Sequence, residues 1–268
     1  MGKISAEAKQ RYDDRVKEYK QQIEAYQRRE KEVLATLDSD PQASYKRFTL
    51  ADERLNMASL YLLLNRISLS MLSVKNDSFV REAHRCCYQS LIFLEDVVTD
   101  YLDAPFSEYS DHLQAIERLS ERARYDLMRK TGFTIQSVAE DFGSNTKWRW
   151  SFVELEGRLA TITKNVLNLR AVISELDPRI DGYELRIAHL KLAKDLLQRS
   201  ADRYLERYTL ATSRIDDFKR AIDYLLALKR LHTLLGETEQ ADVMKRKADV
   251  WKSRMEDEER RAEQRRGS

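Results

Sequence analysis

Apolar residues recur along this chain in alternating steps of three and four positions, which is the spacing of helices that pack along a shared seam. The pattern is clearest after Thr146 and predicts one long helix that reaches Leu176. A second long helix is predicted from Ser5 to Leu37, with Glu30 as the one break in its apolar stripe. A period of 3.5 residues is typical of antiparallel bundles and coiled coils.

Capping residues, glycines and prolines predict where the other helices begin and end. The further predicted helices cover about 49–74, 77–102, 107–132, 134–143, 183–213, 214–235 and 238–260. Gly132 is predicted to end one of them, because glycine favours the position just past a helix. Gly157 lies inside a predicted helix, which indicates close approach of a neighbouring helix, with a kink as the alternative.

These signals predict an all-α fold, an elongated antiparallel bundle or array of about seven or eight long helices arranged as hairpins. Seven glycines and three prolines in 268 residues support long helices, which exclude both residue types. The predicted organisation is a long amphipathic helix over 1–40, hairpins over 41–132 with an acidic block at 86–117, and a long-helix bundle over 133–268. A single domain is the alternative.

The hairpin near the carboxyl end resembles a tetratricopeptide unit. In the stretch 231–241, Gly236 and Ala241 fall where that family has its turn and a packing position, and Ala248 falls at a second packing position. The resemblance implies a groove that holds a peptide or a partner helix. Lys245 stands where the family has an aromatic residue, and a helical hairpin with a tight turn is the other interpretation.

Charge, apolar stretches and cysteine content indicate which partners and which cellular compartment are expected. Forty-seven basic and 45 acidic residues leave a net charge of +2, which gives no general support for a polyelectrolyte partner. The start of the chain has no apolar signal-peptide run, and the most apolar stretch, 58–74, is too short and polar for a comfortable membrane span. The adjacent Cys86 and Cys87 predict no disulfide, so we expect a cytoplasmic protein.

Familiar catalytic and metal-binding motifs are missing from the sequence, so we predict no catalytic residue, no cofactor and no metal site. Glycine-rich phosphate loops and the HExxH zinc pattern are absent. His84 and Cys87 lie three residues apart on a predicted helix, but one pair does not make a zinc site. A helical-bundle enzyme remains an alternative if His84, His112, His189 or Glu95 converge around an internal pocket.

An acidic block with interspersed aromatic residues is the first candidate for a partner-binding surface, since residues 86–117 contain no Lys or Arg. Its candidate residues are Glu95, Asp96, Asp100, Tyr101, Asp103, Phe106, Glu108, Tyr109 and Asp111. Carboxylates beside exposed rings are suited to a basic or amphipathic helical peptide. Alternatively, the block pairs internally with the basic residues of 118–130, and Tyr109 belongs to the core of its helix.

The first helix carries a second candidate surface. Tyr12, Tyr19 and Tyr26 form a stripe on an otherwise polar helix. This stripe either packs inside the chain or pairs with another copy to give a homodimer.

A nucleic-acid interpretation rests on residues 134–152. Residues 136–143, followed by 147–150, resemble the first helix, the turn and the start of the recognition helix of a helix-turn-helix. The alternative is that Trp148 and Phe152 anchor the start of the long helix. From all these features we predict a non-catalytic scaffold or adaptor that mediates protein–protein interaction, with a nucleic-acid-binding regulator and then an enzyme as alternatives.

Overall fold

The computed structural model describes residues 6–103, 105–143 and 148–267. Over these residues the chain forms ten α-helices and no β-strand, so the predicted all-α class is confirmed. The helices are α1 (Ala6–Leu34), α2 (Ala43–Leu72), α3 (Asp77–Glu95), α4 (Phe106–Gln114), α5 (Glu121–Phe142), α6 (Ser151–Asn165), α7 (Leu169–Ser174), α8 (Tyr183–Arg207), α9 (Ile215–Leu234) and α10 (Thr238–Gly267). A 3₁₀ turn covers Leu37–Ser39, and a π-helical turn covers Tyr208–Thr212.

The chain divides into two compact units that are not consecutive in sequence. Unit 1 comprises Met1–Thr99, His112–Leu119 and Asp126–Leu155. Unit 2 comprises Asp100–Asp111, Ser120–Tyr125 and Glu156–Ser268. Helices α4, α5 and α6 therefore contribute residues to both units.

Unit 1 is built on the hairpin of α2 and α3, with α1 packed along α2. The hairpin turns sharply because the side chain of Asn76 accepts hydrogen bonds from the amides of Ser78 and Phe79 and so caps α3. Leu55 and Leu64 of α2 and Leu91 of α3 are fully buried in its core. Local capping and apolar burial thus act together to form the hairpin.

The break in the apolar stripe of α1 has a structural reason. Glu30 is buried, and the Arg54 guanidinium on α2 donates to its carboxylate from Nη2 at 2.6 Å and from Nε at 3.2 Å. At the adjacent position of each helix, Arg29 of α1 pairs with Glu53 of α2 at 2.9 Å. The two reciprocal pairs fix the register of α1 on α2, because a shift along the seam would leave buried charges unpaired.

Unit 2 contains α8, α9 and α10, each packed against the next. Gly157 of α6 lies where the rings of Tyr204 from α8 and Tyr224 from α9 stack at 5.5 Å between centroids. A Cβ at this position would lie 2.6 Å from the Tyr224 hydroxyl oxygen and 2.8 Å from Cε2 of Tyr204. The close approach predicted at Gly157 is therefore present.

We expect Gly157→Ala to lower the free energy of unfolding by about 2 kcal/mol, because both tyrosines are buried and must move to admit the methyl group. Helix propensity alone predicts the opposite sign, a gain of up to about 1 kcal/mol. Urea unfolding followed by circular dichroism separates the two expectations. A variant more stable than the wild type would contradict the packing role of the glycine.

Several predicted helix boundaries are wrong: the helix predicted over 77–102 ends at Glu95, and the one predicted over 107–132 is divided into α4 and α5. Gly132 does not end a helix but lies within α5, which runs to Phe142 and includes the segment predicted as a separate helix at 134–143. The actual break comes earlier, between α4 and α5, where the Ser120 hydroxyl accepts a hydrogen bond from the Ala123 amide. A capping serine is thus the stronger signal here, since a helix can carry an interior glycine at modest cost.

The long helix predicted to run to Leu176 is interrupted as well. It forms α6 and the short α7, because the side chain of Asn168 accepts a hydrogen bond from the Ala171 amide and starts a new helix. The apolar spacing continues through the break, so periodicity alone does not reveal it. Similarly, Ser213 does not cap α9 but has φ 48° and closes the π-helical turn before Ile215.

The predicted tight turn at the carboxyl-terminal hairpin is present between α9 and α10. Gly236 has φ 72°, a left-handed conformation that glycine adopts without strain. Glu237 follows it and binds both Lys194 of α8, at 2.6 Å, and Nδ1 of His232, at 2.5 Å. Among the described helices, none is both long enough and apolar enough to cross a membrane.

Candidate functional site

Unit 2 contains a small cavity of about 210 Å³ around Lys164, which we call the Lys164 pocket. It lies between α4, the end of α6, the start of α7, α9 and the segment that precedes α4. Its lining residues are Leu102, Asp103, Pro105, Tyr109, Lys164, Leu169, Ala227, Arg230, Leu231 and Leu234. The lining is mostly apolar, with three charged side chains among the described residues.

One face of α9 forms a wall of the pocket. Its four residues are spaced at i, i+3, i+4 and i+7, which places them on one side of the helix. They are Ala227, Arg230, Leu231 and Leu234. Ala227 and Leu231 are buried, whereas Leu234 is 48% exposed and lies at the mouth. The wall is therefore buried at Ala227 and Leu231 and accessible to solvent at Leu234.

Leu102 and Asp103, which come before α4, form another wall of the pocket, and two side chains hold this stretch in place. Nδ2 of the buried Asn165 donates to the Tyr101 carbonyl oxygen at 3.2 Å. From α9, Arg230 donates to the Asp103 carbonyl oxygen at 3.1 Å and to its carboxylate at 2.6 Å. These contacts hold an irregular segment in place, so the pocket is a preformed feature of the fold.

Lys164 is the unusual residue of the site, since its side chain is only 6% exposed. Its Nζ lies 5.4 Å from the centroid of the Tyr109 ring, within the range of a cation–π contact. Within the described part of the chain, no hydrogen-bond acceptor contacts this Nζ. Burial is the main cause that lowers the pKa of Lys164 to about 8, and the nearby Asp103 carboxylate offsets only part of that effect.

The charge of the pocket is unbalanced. Lys164 and Arg230 are cationic, Asp103 is the one carboxylate among the described lining residues, and Arg230 already binds it. The volume is below the 300–1,000 Å³ typical of pockets for small molecules and cofactors. Chemically, the site offers an apolar space for one side chain next to an ammonium group to which the described residues supply no hydrogen-bonded anion.

The structure brings two residues of the acidic block to this pocket, Asp103 and Tyr109. Asp103 forms the wall described above. Tyr109 is 1% exposed and contributes its ring face from the interior, so it does not offer surface to a partner. This placement is the one expected if Tyr109 belongs to the core stripe of its helix.

The remaining residues of the block are dispersed. Asp96 pairs with Arg47 at 3.6 Å within unit 1, where Glu95 ends α3. In unit 2, Tyr101 is 70% exposed. The other exposed acids of that unit are Asp100, Glu108 and Asp111. The side chain of Phe106 lies outside the described residues, and recognition of a basic peptide by the block stays a prediction.

Sequence reasoning missed Lys164, although a signal for it exists. Lys164 is the one charged residue between Arg158 and Arg170, in a segment that is otherwise apolar, small or uncharged. Residues 159–167 are all buried. A single lysine inside a helix that is buried all round indicates a site, because an ammonium group is seldom buried without a partner.

The tyrosine stripe of α1 is half-buried within a single chain. Tyr12, Tyr19 and Tyr26 are each partly covered, and Val16 and Ile23 between them are buried. The stripe therefore takes part in packing inside the chain. Self-association through its exposed remainder stays a prediction.

His84 and Ser151 in unit 1 form a pair that does not resemble an activated nucleophile. The Ser151 hydroxyl lies 3.1 Å from His84 Nε2, but its proton goes to the Trp148 carbonyl oxygen at 2.8 Å. Burial lowers the pKa of His84, and its ring packs edge-on against Phe142 and Phe152.

The same aromatic contacts bear on the helix-turn-helix interpretation. Phe142 and Phe152 are buried, and Phe142 packs against Trp148 at 5.3 Å between ring centroids. Asp141 accepts a hydrogen bond from Asn65 and pairs with Arg66. Residues 144–147, which include Lys147, lie outside the described part, and nucleic-acid binding stays a prediction.

Other histidines and cysteines provide no metal-binding group within the part of the chain that is described. No cluster of three or more His, Cys, Asp or Glu side chains occurs there. His189 in unit 2 is buried and bonded to the Thr163 carbonyl oxygen, and burial lowers its pKa to about 4. Cys86 and Cys87 are buried free thiols, and burial raises the pKa of both.

Fold and site together define an all-α protein with a small apolar pocket built around a buried lysine. The chain belongs to the TP0443 family, which matches residues 8–259. No curated protein gives a significant match to the chain.

Proposed function

We propose that this protein is a non-catalytic adaptor that binds a protein partner by taking one apolar anchor residue of that partner into the Lys164 pocket. The observation that carries the proposal is the size and lining of the pocket. An apolar space of about 210 Å³ with a partly exposed leucine at its mouth suits a single side chain. Binding energy in protein interfaces concentrates at such anchor residues.

The surroundings of the pocket support the same function. The walls are helices and a tied-down segment, so little ordering is needed on binding. The exposed Tyr101 comes directly before Leu102 of the lining and offers an aromatic contact for the rest of the partner. In this proposal Tyr101 and the half-exposed Asp103 belong to the rim of an interface that has the pocket as its centre.

Leu234→Asp tests the proposal, because it places a carboxylate at the mouth of the pocket without entering the core. We expect this variant to lose the partner captured from a lysate by the wild type, since an apolar anchor must then desolvate a charge. Leu226→Asp is the matched control, as Leu226 lies on the same helix, is 39% exposed and does not line the pocket. Equal capture by both variants would contradict a role for the pocket.

A further inference from the structure

The position of Lys164 constrains the chemistry of the anchor. Its ammonium group reaches the pocket from α6 and has three N–H donors, and it lies 5.4 Å from the centroid of the Tyr109 ring. Placing a charged group in such surroundings is costly unless a counter-charge accompanies it. The site therefore favours an occupant that supplies an anion.

Arg230 adds a second positive charge to the pocket, and it already binds Asp103, the one carboxylate among the described lining residues. Both of its terminal nitrogens bind Asp103, one the carbonyl oxygen and one the carboxylate. Asp103 is thus engaged at the wall, with its side chain 51% exposed. An added anion inside the pocket would face the buried Lys164 ammonium group, with the half-exposed Arg230 as a second cation of the lining.

The occupant must also present an apolar group within a few ångströms of its anion, since Leu102, Leu169 and Leu231 line the same small space. The carboxyl-terminal residue of a protein meets both demands, because its side chain and its free carboxylate are attached to one Cα. An internal aspartate or glutamate carries the carboxylate but lacks the apolar group on the same residue. Lysine pairs with carboxylates through short, charge-assisted hydrogen bonds.

We infer that the Lys164 pocket binds the carboxyl terminus of a partner protein, with the last side chain, an aliphatic or aromatic one, in the apolar space and its carboxylate on the Lys164 ammonium group. This inference rests on the proposed adaptor function and names the part of the partner that the pocket recognises. Binding of the carboxylate would also raise the pKa of Lys164 back toward its ordinary range, because the charged form of the lysine gains a partner.

Fluorescein-labelled hexapeptides of sequence Gly-Ser-Gly-Ser-Gly-X provide the probe, with X as Leu, Ile, Val, Met or Phe, each as the free acid and as the amide. We expect fluorescence anisotropy to show the free acid of at least one peptide bound about tenfold more tightly than its amide. The ratio of the two affinities, free acid over amide, should fall to about one in Lys164→Met. It should stay unchanged in Lys191→Met, which replaces an exposed lysine of α8.

The outcomes separate the inference from the proposed function. Equal binding of acid and amide to the wild type would overturn carboxylate recognition and leave the apolar anchor standing. Equal binding by an amidated peptide that ends in Leu-Glu would show that a side-chain carboxylate suffices and would overturn recognition of the terminus. No binding of any peptide at about 1 mM would overturn the inference and the pocket's role as an anchor site together.

Discussion

Replacing Glu30 by alanine is expected to lower the free energy of unfolding of unit 1 by about 3–5 kcal/mol, because it leaves the Arg54 guanidinium buried without its carboxylate. The side chains of this pair are only 10% and 14% exposed, so water does little to screen or replace the lost contact. Urea unfolding followed by circular dichroism gives the change in free energy from the midpoint and slope.

Two further variants show whether the loss comes from the buried pair. Glu32→Ala removes an exposed carboxylate from the same helix and should change stability by less than about 0.5 kcal/mol. Glu30→Leu combined with Arg54→Leu should recover most of the loss, since two apolar side chains replace both charges. A cost for Glu30→Ala no greater than that for Glu32→Ala would contradict the structural role of the pair.

Lys164→Met is expected to raise the free energy of unfolding of unit 2 by up to about 3 kcal/mol at pH 7. This gain corresponds to a pKa lowered from 10.5 to about 8, at about 1.4 kcal/mol per pH unit. Methionine fills a similar volume without a charge. A gain in stability from removing a polar residue marks a residue retained for function rather than for folding.

The stability difference between Lys164→Met and the wild type should depend on pH, and the lowered pKa of Lys164 determines the direction of that dependence. Below about pH 8 the lysine is charged in both the folded and unfolded states, so its full burial cost is present. Between about pH 8 and 10.5 the folded state binds fewer protons than the unfolded state, and wild-type stability therefore rises with pH. The advantage of Lys164→Met should shrink across this window, whereas Lys191→Met should show no such trend. A pH-independent difference would contradict the lowered pKa.

Features of the fold that depend on local signals alone could be predicted from the sequence. The cap at Asn76, the turn at Gly236 and the crowded Gly157 were predictable because each depends on one residue type in one backbone setting. Gly132 was misread because glycine ends a helix only when the chain turns left-handed there. The break at Asn168 was missed because apolar spacing continues across it.

The candidate site was only partly predictable, for a different reason. Asp103 and Tyr109 stand out in an acidic block with aromatic residues, so the sequence pointed to their region. Their partners Lys164 and Arg230 lie far along the chain, on α6 and α9, and only the folded arrangement places them at the same cavity. Lys164 was detectable as a solitary charge, but its pocket depends on tertiary packing.

The most direct measurement of the central claim is a methyl NMR titration of the wild-type protein with the leucine-terminated free-acid peptide. An anchor in the Lys164 pocket predicts shifts for the methyl groups of Leu102, Leu169 and Leu231, with Leu55 and Leu64 in the core of unit 1 unchanged. Saturable shifts that appear elsewhere and leave these three pocket leucines unmoved would contradict the pocket as the binding site.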